Sequence, residues 1–397
     1  MGIKLILIIV LILLYFVMST WKNGKKYYYF FTIIMLFSRR IDVPFFGAMT
    51  PSAVMIAVLF FTNINLLQKE IGRWIFFFIF MFLSVILGYA NAYEPANVLP
   101  WTCNILVAVA MALIPSVLFS EENDLRIMIR CILAACVVYS ITTIIGYYGY
   151  GDGLVIYNGY GFDLEDFHSS RIYGISDSNL VQVVSVISIC LLPRADLKKR
   201  FIEWGILAIF VYSALITLKR MSFIAIIASM AYYFWYHKKH GNLVTRYLVI
   251  ALVAAMASVF WDAISYRFGI AGFGSGEVDD SSSEIRIERM TMALNAFYAS
   301  PIFGNGAGYY IYIHNGLMEI LSNCGLIGIV LFFKHFLPKI KDVRLLNPWA
   351  VSLLFFFLTC FSLESGLNHA QTMAWLGVFL GGYQVSRKYR WTINNNI

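Results

Sequence analysis

The stretch LILIIVLILLYFVM, residues 5–18, decides the class of fold. It is an unbroken apolar run with Lys4 ahead of it and Lys22, Lys25 and Lys26 behind. No small-residue cleavage motif of the A-x-A kind follows, so the run reads as an uncleaved first helix that also directs insertion. The rest of the chain repeats the pattern. Of 397 residues, 60% are hydrophobic and only 13% charged, and the mean hydropathy is +0.73, a balance foreign to a soluble domain. Apolar runs able to cross roughly 30 Å of hydrocarbon recur to the C-terminus, separated by short polar clusters. The expected fold is an all-α polytopic membrane protein, one integral membrane domain over residues 1–397.

Hydropathy gives about 12–13 transmembrane helices, near 5–19, 27–38, 45–64, 74–90, 98–119, 128–148, 176–193, 201–218, 221–236, 247–264, 317–333, 349–364 and 370–386. The second is short, and if it is re-entrant the total drops by one and the N-terminus changes sides. The clusters Lys22–Lys26, Lys69–Arg73, Arg126–Arg130, Arg194–Arg200, Lys238–Arg246, Lys334–Arg344 and Arg387–Arg390 then share one face. They hold 21 of the 30 Lys and Arg, which makes that face cytoplasmic. The two long loops, 149–175 and 265–316, fall on the extracytoplasmic side, where function is expected.

This distribution also restricts the chemistry. The net charge of +8 follows from insertion, and no aromatic-interleaved basic patch points to nucleic acid. Six cysteines lie in or beside apolar runs without a C-x-x-C pair, so they are expected to be small buried hydrophobes. No serine elbow or zinc-protease helix is present. The acidic stretch DLEDFH, Asp163–His168, offers two carboxylates near a histidine, a spacing common by chance in acidic loops and a weak metal signal.

In the second loop, Ser281 and Glu284 stand at capping-box spacing and Pro301 marks the other end, predicting a helix between them. Arg286 and Arg289 share one face of it, while Ile287, Met290, Leu294 and Tyr298 line another, as in a helix lying along the membrane surface. Those arginines contact either lipid headgroups or a bound anion. Arg220 at the outer boundary of a span and Arg171 leading into another are open to the same two readings, snorkelling or anion binding. Several outer arginines together suit a diphosphate at headgroup level, because the planar fork grips phosphate oxygens in pairs.

Gly304, Gly306 and Gly308 in FGNGAGYY lack the Lys-Ser or Lys-Thr of a nucleotide loop and read as a tight turn back into the membrane. After it comes HNGLMEILSNCGLIG, residues 314–328. Asn315, Glu319 and Asn323 are four apart and predict one polar stripe on a helix starting near His314, facing protein or a water-filled cavity. Asn323 is expected to be structural, and Gly325 and Gly328 to let neighbouring helices approach. His314, at the outer helix end, is placed to take a proton from a hydroxyl.

These residues resemble the bacterial O-antigen ligase and O-antigen polymerase superfamily of multi-pass glycosyltransferases. RIERMTMALNAFYASPIFGNG looks like the family stretch of an arginine, an A-L-x-x-F core, a Pro and a Gly-x-Gly. HNGLMEILSNCGLIG reproduces His-Asn, nine residues, Gly, two residues and Gly. RIYGISDSN and LITLKRMSFIAI are looser matches, and Lys219 departs from the small or polar residue usual before the arginine. The resemblance spans roughly Arg171 to Gly328.

The resemblance implies a cofactor-free, metal-independent inverting transferase at the outer face of the cytoplasmic membrane. Its donor would be an oligosaccharide on undecaprenyl diphosphate. Arg220 and Arg286 would hold the diphosphate, with Arg171, Arg289, Asn315 and Glu319 in substrate binding, and His314 would be the base or orienter for the attacking hydroxyl. A chain-length regulator and a flippase are the implied membrane partners. Between polymerase and ligase, the richness in Phe, Tyr and Ile and the lack of a core-binding element favour polymerase. A flippase or other transporter calls for internal repeats or midplane ionisable residues, and no repeat is found.

Overall fold

The computed structural model describes residues 2–38, 41–43, 47–92, 94–148, 178–197, 200–216, 220–240, 281–309, 313, 315–363 and 369–389. In chain order the helices are α1 Gly2–Ser19, α2 Gly24–Ile34, α3 Pro51–Thr62, α4 Ile64–Arg73, α5 Ile75–Asn91, α6 Val98–Leu118, α7 Glu122–Tyr148, α8 Ser178–Ser188, α9 Arg200–Ile216, α10 Arg220–His240, α11 Ser281–Ala299, α12 Gly316–Phe336, α13 Ile340–Arg344, α14 Pro348–Leu363 and α15 Ala370–Lys388. Two three-residue strands, β1 Ile41–Val43 and β2 Gly47–Met49, pair ahead of α3. The all-helical membrane class expected from hydropathy is what the chain adopts. The expected span 247–264 and the loop 149–175 lie outside the described residues.

Among the described residues, three helices are long and apolar enough to cross a membrane: Pro95–Leu118, Glu122–Ile145 and Gly316–Phe336. The sixth expected span, 128–148, starts six residues early, at Glu122. The expected span 45–64 is not one straight helix. The Thr50 Oγ1 accepts from the Ala53 N–H (3.2 Å) with Pro51 in the first turn, which starts α3 six residues late. At the other end the Asn63 amide folds back to donate to the Leu59 carbonyl (2.7 Å), and α3 and α4 meet at a bend of 91°. If that pair is one broken span, the long apolar spans number four.

The outward faces carry the membrane signal. On α5, Phe77, Phe80 and Met81 are buried while Phe76 (69% exposed), Phe82 (67%), Ile79 and Ile86 are not. Large apolar side chains on both faces of a helix suit protein on one side and lipid on the other. Cys103 is likewise exposed and Cys131 half-exposed, against the expectation that all cysteines are buried; Cys136, Cys190 and Cys324 are buried. Cys103 lies on an outward face of α6, where a thiol meets lipid as readily as an alkyl group does.

Two compact units divide the chain, one of residues 1–32, 42–122 and 280–397, the other of 33–41 and 123–279. In the first, α6 and α15 form the central pair: Trp101, Trp375 and Phe379 are fully buried, and a Cβ at Gly377 would overlap the Ala108 carbonyl. Small residues at this contact give the close approach that packs helices without a solvent driving force. In the second, buried Gln182 on α8 donates to Thr143 Oγ1 of α7 (3.2 Å) and accepts from Ser213 Oγ of α9 (2.7 Å), tying three helices through one amide.

Basic residues of the predicted cytoplasmic clusters make side-chain contacts within each unit. In the second, Arg130 donates to the Ala195 carbonyl (2.9 Å) and Arg126 lies 3.5 Å from the Asp196 carboxylate, which joins two of the predicted cytoplasmic clusters. In the first, Lys25 donates to Asn63 Oδ1 (2.9 Å) and Lys26 to Ser120 Oγ (3.0 Å).

Candidate functional site

The helix after His314 begins one residue later than its cap. Asn315 is extended (φ −151°, ψ 107°), and its Oδ1 accepts from the N–H groups of Leu317 (3.0 Å) and Met318 (3.1 Å), so it is the N-cap of α12. One turn on, Glu319 is fully buried. The Trp101 indole N–H of α6 donates to its Oε1 (2.7 Å), giving a buried carboxyl the donor it requires. Asn323, a turn further, is also fully buried and accepts from Ser322 Oγ (3.4 Å). Of the expected stripe, Glu319 and Asn323 face protein, whereas Asn315 is half-exposed and caps the helix.

At Gly325 the helix breaks. Its φ of +63° and ψ of −163° are unavailable to a helix, so among the bonds across the break the Leu326 N–H does not reach the Ser322 carbonyl, nor the Ile327 N–H that of Asn323. The preceding loop supplies all four partners. Asn305 N–H donates to the Ser322 carbonyl (3.1 Å) and Gly306 N–H to that of Asn323 (2.8 Å). Leu326 N–H donates to the Pro301 carbonyl (2.9 Å) and Ile327 N–H to that of Ile302 (3.2 Å). Irregular backbone within an apolar helix is tolerated where protein satisfies it in this way. The expectation for Gly325 is thus corrected: it does not merely let a neighbouring helix approach but carries the break. A Cβ at Gly328 would first overlap Cys324 of the same helix, with Phe80 of α5 next to it.

The glycine loop is a wedge. Gly304, Gly306 and Gly308 all have positive φ, and a Cβ at Gly306 would run into the backbone of α5 at Leu87 and Gly88. Ala307 N–H donates to the Ser84 carbonyl of the same helix (2.8 Å). Between the glycines, Asn305 Nδ2 donates both to the Ala296 carbonyl of α11 (2.8 Å) and to the Ser322 carbonyl of α12 (2.9 Å). This side chain holds the arginine-bearing helix against the helix that Asn315 caps. Sequence reasoning passed over Asn305 and Trp101; the first had a signal, a single amide flanked by glycines, and the second had none.

The predicted helix of the second loop exists as α11, and the side chains that meet protein are its alanines. Ala293 (1% exposed) and Ala296 (9%) are buried, whereas Ile287 (65%) and Tyr298 (71%), expected on the apolar face, are exposed. Small side chains bring α11 close to α12, and the bulky ones remain outside. Arg289 is half-exposed on α11, and Arg286 lies on the same helix one turn earlier. Arg289, Asn315 and Glu319 thus belong to one unit with Arg286, whereas Arg220 opens α10 of the other. Arg171 and His314 lie outside the described residues, as do the side chains of Arg220 and Arg286 and the stretch DLEDFH.

With this geometry in hand, the comparison with known families is specific. Residues 205–333 match the family model described as O-antigen ligase. The match runs from within α9 to near the end of α12 and takes in Arg220, Arg286 and His314, so this stretch of the chain is similar to that family. No curated protein matches it.

Proposed function

We propose that the chain is an O-antigen or capsular polysaccharide polymerase, transferring a glycan from undecaprenyl diphosphate onto the non-reducing-end sugar of a second lipid-linked repeat unit. His314 takes the proton from the acceptor hydroxyl as that oxygen attacks the anomeric carbon. The bond to the lipid diphosphate breaks, and the configuration inverts. Arg286 and Arg220 stabilise the departing diphosphate by paired donors to its oxygens, with Arg171 and Arg289 adding positive charge at the headgroup level. No metal or cofactor is required. The reaction faces the outside of the cytoplasmic membrane, and a flippase that delivers the repeat unit and a chain-length regulator are the expected partners.

The observation that carries this reading is that the family match encloses all three expected catalytic residues. The Asn305 bridge supports it, since it holds the arginine helix, at Ala296, against Ser322 of the helix that follows His314. Asn315 and Glu319 serve by position: the cap and the Trp101 hydrogen bond orient the first turn of α12.

The description of the matched family favours one second reading, a ligase that transfers finished polymer to lipid A core. Purified protein reconstituted with synthetic lipid-linked repeat unit, or with lipid-linked polymer and lipid A core, separates the two. Chain elongation identifies a polymerase, and transfer to core identifies a ligase.

A further inference from the structure

At the other end of α12 from Asn315, residues of the first unit line an open pocket of about 600 Å³. Four stretches meet there: the α4–α5 junction, the last turn of α6, the α12–α13 connection and the end of α15. Arg73, Lys334, Lys339, Arg387 and Lys388 line it against one carboxylate, Glu70. Three predicted cytoplasmic clusters, far apart in sequence, thus contribute to one pocket. Some of this charge complements the C-terminal dipoles of α4, α12 and α15. That does not account for five cations converging on a single cavity.

The cations differ in how they are held. Arg387 pairs through Nε with Asp342 Oδ2 (3.2 Å) and stands over the Tyr383 ring (5.9 Å), which leaves its terminal nitrogens to donate elsewhere. Tyr383 is fixed in turn, donating to Asp342 Oδ2 (2.6 Å) and accepting from the Lys339 N–H (3.0 Å). Arg73 pairs with Glu70 (2.6 Å). Lys334, Lys339 and Lys388 form no ion pair among the described residues.

The remaining lining is mixed: Ser116, His335, Tyr383 and Gln384 are polar, and Trp74, Leu337, Leu380 and Val385 are apolar. Trp74 stacks on His335 (4.4 Å between ring centres). Directly beside pocket residues in sequence, Ile75, Phe76 and Phe333 present exposed apolar surface. Phosphate chemistry inside and apolar surface at the rim describe a lipid more closely than a soluble ion.

We propose that this pocket binds the phosphate of an anionic phospholipid, with the headgroup among the cations and the acyl chains along α5 and α12. In the topology expected from charge, the lipid belongs to the cytoplasmic leaflet. The proposal is independent of the transferase reading, because the pocket lies at the end of α12 away from Asn315 and its test reads lipid retention, not sugar transfer.

The test is native mass spectrometry of the full-length protein in detergent, offered equal amounts of phosphatidylglycerol and phosphatidylcholine. Wild type is expected to retain phosphatidylglycerol about fivefold or more over phosphatidylcholine. Combining K334Q, K339Q and K388Q brings the ratio near one, K22Q at an exposed lysine outside the pocket lining leaves it at the wild-type value, and E70Q raises it. If the triple variant does not fold, E70Q decides alone, and an unchanged or lowered ratio overturns the proposal. A folded triple variant with the wild-type ratio also overturns it. Absence of lipid preference, with saturable inorganic phosphate binding that the triple variant loses, would keep the phosphate site and assign it to a soluble occupant. Neither lipid preference nor phosphate binding overturns the site altogether.

Discussion

Glu319 and Trp101 show at the scale of single residues why a polar group sits in an apolar helix. A carboxyl with no exposed surface needs a donor, and the indole N–H is one. Trp101→Phe removes that donor while keeping most of the ring volume, so unfolding in detergent should show a loss of about 1–3 kcal/mol. Adding Glu319→Gln should make the second change cost less than it does in wild type; full additivity of the two would mean that the pair is not coupled. Gly306→Ala belongs to the same scale. A side chain there meets both a φ of +105° and the α5 backbone, and destabilisation of about 2 kcal/mol or more is expected. Wild-type stability in that variant would contradict the wedge. Asn315 and Glu319 stood out because polar residues are conspicuous in an apolar run. Trp101 did not, since a tryptophan in a membrane span looks the same with or without a partner.

At the scale of elements, the break in α12 and the loop that completes it form one device. The loop carbonyls of Pro301 and Ile302 and the N–H groups of Asn305 and Gly306 take up the hydrogen bonds that Gly325 releases. Asn305→Ala removes both side-chain bonds to α11 and α12. Hydrogen exchange should then accelerate at the amides of residues 304–307 by about tenfold or more, with the C-terminal half of α12 unaffected. Unchanged exchange would mean that the side chain does not anchor the loop. Most helix bounds were readable from hydropathy, because apolar length is what the membrane selects. The exceptions lie where local hydrogen bonding overrides hydropathy. The 45–64 stretch is divided by the Thr50 cap and the Asn63 amide, neither of which changes its apolar character. The alanines by which α11 meets α12, Ala293 and Ala296, carry no such pattern in the sequence, because small size and not hydrophobicity selects them.

At the scale of the whole molecule, charge asymmetry predicts the topology. Lys22 and Lys388 belong to the clusters assigned to the cytoplasm, and Tyr298, exposed on α11, belongs to the outer side. Single cysteines at these positions, in a background whose exposed Cys103 is replaced, should label accordingly: Tyr298→Cys in intact cells with a membrane-impermeant maleimide, Lys22→Cys and Lys388→Cys only after permeabilisation. The reverse pattern would invert the topology and place the proposed chemistry inside. The central claim concerns that chemistry, and reconstitution tests it most directly. Purified protein given synthetic undecaprenyl-diphosphate-linked repeat unit should produce a ladder of elongated chains, and His314→Ala and Arg286→Ala, folded as wild type, should each reduce the rate by about 10²-fold or more. Undiminished elongation in both variants, or transfer to lipid A core with no ladder at all, would contradict the account.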